Sequence, residues 1–293
     1  MVTEAEAKQI FTDSIHFDSL IVAKWSPETF AALHASGITG ASCTISIWED
    51  FKQSIKQVVQ WKRWFEEHEG IIVQAYTAQD VRRAKSQGKT AILLSWQNTA
   101  GIEDQLDYLR VFHELGVRKM QLTYNTQNYS GAGYTELNDS GLTGFGREVV
   151  DEMAKLGMIV DLSHLCTEKG GYVGINCFGP HMPKGNDSTI DDYVAALDYT
   201  IALCGEDHVG IGSDNADGHK RPSAFMDWAN KDKGYARRST PWGTSAKVVK
   251  PLGPLENRPE LPVAMARAGW SEEKIKKVLG ENWLRYMETI IGS

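Results

Sequence analysis

The chain has 293 residues, 42% of them hydrophobic, and a formal net charge of -7. That length allows one large α/β barrel or two smaller domains, and the acidic balance argues against nucleic acid as a partner. The start, MVTEAEAKQIFTDS, is acidic and lacks a long apolar core, so the sequence predicts no signal peptide, and no run approaches the ~18 apolar residues of a membrane span.

In chain order, apolar runs of strand length are Ser14–Val22, Ile38–Ile47, a weaker Ile71–Ala75, Ala91–Trp96, Lys119–Tyr124, Met158–Ser163, Tyr172–Cys177 and Val209–Ser213. Continuous rather than alternating runs point to strands buried on both faces, as in a parallel sheet. Helical patterns lie between them at Gln105–Leu115, Gly144–Leu156, Ser188–Leu203 and Ser271–Ile290. Thr143 is a good N-cap for the second and Gly157 a good C-cap. Ser271 can cap the last, with Glu272 and Glu273 at its positive end. Repeated β-α units without a Gly-rich nucleotide fingerprint favour a (β/α)8 TIM-like barrel, taken as one domain over residues 1–293. Residues 221–259, rich in Pro, Gly, Lys and Trp, read as a long loop or arm.

One junction departs from this plan. Met158–Ser163 and Tyr172–Cys177 both read as parallel strands, yet only Leu165–Gly171 joins the segment ending at His164 to the next run. A parallel crossover needs about 10–12 residues or more. The barrel is therefore expected to be open, or to lack one β-α unit, at this place.

Active sites of parallel barrels lie at the C-terminal ends of the strands. His16 and Asp18 alternate onto one face of the first strand, and imidazole with carboxylate is a common start of a zinc site. His164 ends the sixth run as a third candidate ligand. Gln97 follows Ala91–Trp96, and Tyr124 and Asn125 follow Lys119–Thr123. Asp214, after Val209–Ser213, is placed to hold a water or a substrate amine. Alone, an HxD tripeptide is weak evidence, and His164 fits a buried, hydrogen-bonded histidine equally well. Asp217-Gly218-His219 reads as a turn. The cysteines Cys43, Cys166, Cys177 and Cys204 have no CxxC spacing and are expected as reduced thiols of a cytoplasmic protein.

These residues carry a resemblance. The segments His16-Phe17-Asp18, GVRKMQLTYNTQN from Gly116, GLTGFGREVVDEMAKLGMIVDLSH from Gly141, DHVGIGSD ending at Asp214, and VLGENWLRYM from Val278 are similar to the membrane (renal-type) dipeptidase family, peptidase family M19, in a bacterial branch. The resemblance implies a metal-dependent hydrolase barrel with a two-zinc site that cleaves dipeptides by metal-activated water. It implies His16, Asp18 and His164 as metal ligands, with Gln97 where the family has a bridging glutamate. Asp214 and Tyr124 would act in catalysis, and Asn125, Asp214 and His219 would contact a small dipeptide-like substrate. One or two zinc ions, a cytoplasmic homodimer and no membrane or nucleic-acid partner complete the expectation. Relatives carry an extra α-β-α unit after the DLSH strand, with another zinc histidine and an arginine for the substrate carboxylate. Without it, turnover of ordinary L-dipeptides is expected to be weak. A non-catalytic barrel, or lyase or decarboxylase chemistry on the same scaffold, are the alternatives.

Overall fold

The computed structural model describes residues 2–162, 171–214 and 247–292. Among the described residues eight strands are parallel where they pair: β1 Phe17–Ile21, β2 Gly40–Ser46, β3 Ile72–Gln74, β4 Thr90–Trp96, β5 Val117–Gln121, β6 Ile159–Asp161, β7 Val173–Ile175 and β8 Val209–Ile211. The main sheet runs β1-β2-β4-β5-β6, with β3 on β4, while β7 and β8 form a second pair. Every expected run overlaps a strand, with β4 and β5 starting one and two residues earlier than expected. The pair β7–β8 returns to β1 through its end, where the Asp214 N–H donates to Leu20 O at 3.0 Å. The sheet is thus curled into a barrel that β6 and β7 leave unjoined: among the described residues β6 pairs with β5 and β7 with β8. Residues 163–170, which hold most of the short connector, and residues 215–246, which hold most of the expected arm, lie outside the described residues.

Ten α-helices clothe the sheet among the described residues: α1 Glu4–Asp13, α2 Pro27–Ala35, α3 Phe51–Glu67, α4 Ala78–Ser86, α5 Tyr108–Glu114, α6 Gly144–Leu156, α7 Ile190–Cys204, α8 Glu260–Arg267, α9 Glu272–Lys276 and α10 Asn282–Ile291. Local chemistry starts them. Thr143 Oγ1 accepts the Gly146 N–H, Ser271 Oγ accepts the Lys274 N–H, and Asp50 and Gln53 close a capping box on α3. Gly157 ends α6 in the left-handed region at φ 67°. The expected long final helix is instead α9 and α10 joined by a π turn, Lys277–Glu281. Gly280 sits in that turn because a Cβ there would come within 2.7 Å of Ile15 O.

Packing assigns the two faces of the sheet. Ala41, Cys43 and Ile45 of β2 face outward onto Phe30, Leu33, Val58 and Trp61 of α2 and α3. Phe17, Ala91, Leu93 and Ile159 face the other way and pack with Trp283, Leu284 and Met287 of α10, with Phe17 stacked on Trp283 at 5.6 Å between ring centroids. A third cluster packs α1, α7, α8 and the π turn around β8. Each buried large apolar side chain contributes roughly 1.5–3 kcal/mol, so these clusters dominate the fold's stability.

Candidate functional site at the strand ends

Alternation on β2, β4 and β5 puts a polar column on the concave face. The register pairs Thr44 with Ser95 and Ser95 with Lys119, so their side chains share that face. Gln97, just past β4 and buried, donates from Nε2 to Thr44 Oγ1 at 2.9 Å. Lys119 Nζ donates to Ser19 O at 2.9 Å and lies 2.7 Å from Asp161 Oδ2, with both side chains below 10% exposed. The sequence reading missed Lys119 and Asp161. A lysine inside the otherwise strand-like VRKMQ was the available signal, since a lysine is almost never buried unless paired.

Tyr124 and Asn125 lie beyond β5, which ends at Gln121 rather than at Tyr124 as expected. Tyr124 meets Trp48 edge-on at 5.5 Å between ring centroids. With Val22, Ala23, Ile47 and Trp25 these rings make an apolar wall at the ends of β1 and β2. Asn125 and Asp214 each have a positive φ, 59° and 50°, a conformation uncommon for residues other than glycine. Asn125 is buried, and its carbonyl accepts the backbone N–H and the hydroxyl of Thr135.

His16 and Asp18 do not join this constellation. His16 precedes β1 and Asp18 is its second residue, whereas the strand's C-terminal end is Ile21. Asp18 pairs in register with Ala41 and therefore faces the helices. Its carboxylate is fully engaged: Oδ1 accepts the N–H groups of Leu20 and Ser213 at 3.2 and 2.9 Å, and Oδ2 accepts the Ser213 hydroxyl at 2.5 Å and lies 3.1 Å from Arg258 Nη2. His16 is fully buried against Phe11, and neither ring nitrogen has a hydrogen-bond partner among the described residues. Burial first, then the charges of Arg258 and Lys85, hold its pKa well below the usual histidine range. A neutral imidazole is the form that binds a metal, whereas the Asp18 carboxylate is taken up by Ser213, Leu20 and Arg258. The Gln97 amide is oriented by its Nε2 bond to Thr44, which leaves Oε1 outside that contact. Among the described residues no group of three His, Cys, Asp or Glu side chains converges. His164 and His219 lie outside the described residues.

The thiol expectation is also corrected. Cys43 and Cys177 are free and buried, and burial lifts the Cys177 thiol to about 11, but Cys204 is disulfide-bonded. No helix among the described residues is long and apolar enough to cross a membrane.

The fold has counterparts among known proteins. An amidohydrolase from Pseudomonas aeruginosa superposes with a TM-score of 0.92 at 35% identity, covering 99% of this chain and all of that one. A metallo peptidase from Rhodobacter sphaeroides, solved with a phosphinate mimic of the dipeptide L-Ala-D-Ala, shares the fold at a TM-score of 0.74 and 18% identity over 95% of this chain and 100% of its own. An uncharacterized dipeptidase of Schizosaccharomyces pombe is 30% identical over 176 residues, 44% of this chain and 42% of that protein, so the chain matches less than half of that relative's length. The family model for membrane dipeptidases matches residues 23–168 and 165–232. It begins after His16 and Asp18, and its two segments meet at the short connector. A model matched over most of the length, on a barrel-type parallel sheet, shows that the chain belongs to the membrane dipeptidase family, peptidase family M19.

Proposed function

We propose that the chain is a dipeptidase-like hydrolase whose site lies at the C-terminal ends of β4, β5 and β8. The observation that carries this reading is the pair Asn125 and Asp214, two non-glycine residues held at positive φ just past β5 and β8. Strained backbone of this kind clusters at active sites and ligand clamps, and barrel chemistry gathers at these strand ends. Gln97 and the Tyr124 ring stand on the same edge.

In this reading the substrate is a dipeptide or a small amide. The Asp214 carboxylate accepts a proton from the attacking water as the water oxygen bonds to the carbonyl carbon. It returns that proton to the departing nitrogen as the C–N bond breaks, so amide and water become acid and amine. General acid–base help of this type is worth roughly 10²–10⁴-fold. Tyr124 and Asn125 supply donors for the carbonyl oxygen, and the wall of Val22, Ile47 and Trp48 takes an apolar side chain. The zinc requirement rests on family membership. The expected donor His164 lies outside the described residues, and no step here is routed through a metal. Incubating the purified chain with a panel of dipeptides and following free amino acids tests the reading. Slow but saturable release that is lost in Asp214→Ala supports it, and release unaffected by that change refutes it.

A further inference from the structure

We propose that Asp18 and Arg258 are positioning residues that set the conformation of Asp214 from behind the sheet; this rests on the reading of Asp214 as part of the site. The contacts converge on the residues flanking it. Asp214 donates its N–H to Leu20 O at 3.0 Å. Asp18 grips both sides of that bond. It takes the Leu20 N–H at 3.2 Å, and it takes the N–H and the hydroxyl of Ser213, the residue before Asp214, at 2.9 and 2.5 Å. Arg258 Nη2 then donates to Ser213 Oγ at 2.7 Å and pairs with Asp18 at 3.1 Å. Asp18 and Arg258 are both fully buried.

Two further facts make this a clamp rather than an ordinary ion pair. The β1–β2 register shifts between Asp18 and Ile21, so the backbone of Ser19 and Leu20 is released from regular pairing with β2 where Asp18 and Asp214 take hold of it. Arg258 caps the C-terminus of the single-turn helix Leu255–Asn257, just before α8, so one side chain ties the outer helical layer to the end of β8. A buried pair is a poor source of stability compared with apolar residues of equal volume. Its hydrogen bonds here are spent on one strand end, and that end carries the strained Asp214.

The test compares wild type with Ser213→Ala, Asp18→Asn, Arg258→Lys and Arg258→Met, using two readouts. Amide hydrogen exchange at Asp214 is set against exchange at Leu93 in the middle of β4, and kcat and KM are measured for the dipeptide turned over best. Ser213→Ala removes the hydroxyl but leaves the ion pair, so it answers even if Asp18→Asn does not fold. The clamp predicts that Asp214 exchanges about tenfold faster in Ser213→Ala while Leu93 is unchanged. It also predicts that kcat falls by up to about 100-fold with KM little altered, and that Arg258→Lys retains more activity than Arg258→Met. Unchanged exchange at Asp214, or a rise matched at Leu93, overturns it. If wild type turns over no dipeptide, the hydrolase reading falls, and the exchange comparison still decides the clamp.

Discussion

Arg258 Nη2 lies 3.1 Å from Asp18 Oδ2, and both side chains are completely buried. This pair determines what Asp18 can do. A carboxylate that already accepts from two backbone N–H groups and a hydroxyl, and faces a guanidinium, has no lone pair left for another cation. Removing one partner strands the other. Asp18→Ala is therefore expected to lower unfolding stability by about 3–5 kcal/mol in urea melts, and joint replacement of Asp18 and Arg258 by apolar residues should cost less than Asp18→Ala alone. Equal losses in the two proteins would show that the charges are not coupled.

His16 gives a pH dependence of known sign. Its folded pKa is depressed below the ordinary value of 6.5, chiefly by burial. The unfolded chain then binds the extra proton first as pH falls. The stability that the neutral ring represents is complete above pH 6.5 and drains away below it, by at most about 1.4 kcal/mol per pH unit. Denaturation midpoints measured from pH 7.5 to 5 should fall toward acid in wild type and fall less in His16→Leu. Identical slopes would mean that His16 does not titrate differently in the two states.

Metal content follows from the same geometry. Because His16 lies outside the strand-end constellation, His16→Leu should leave the amount of zinc per chain, measured by elemental analysis after dialysis, at the wild-type level. A loss of bound metal in that variant would restore His16 as a ligand and overturn its placement here.

The sequence made the framework legible because strand cores and caps are local. The apolar runs located all eight strands, and Gly144–Leu156 was bounded correctly since Thr143 and Gly157 mark its ends by chemistry of their own. The helices α1 to α4 are absent from the apolar pattern although Thr3, Asp50 and Thr77 cap three of them with complete capping boxes. What the sequence misled about was level along a strand. His16-Phe17-Asp18 has the spacing of a ligand pair, but spacing does not say whether it sits at the start or the end of β1, nor which face it takes. That depends on register, fixed by Phe17 opposite Gly40 and Asp18 opposite Ala41. The partner that occupies Asp18 is 240 residues away, and no local pattern announces Arg258. Gln97, Asn125 and Asp214 were legible because they directly follow runs whose ends the apolar pattern marks.

In the proposed reading Asp214 works at the mouth of the barrel. The most direct measurement is the rate of dipeptide hydrolysis by Asp214→Asn beside wild type, with folding checked by the thermal midpoint of each. The expected kcat is lower by about 10²–10⁴-fold at an unchanged midpoint. Hydrolysis by Asp214→Asn at the wild-type rate would contradict it.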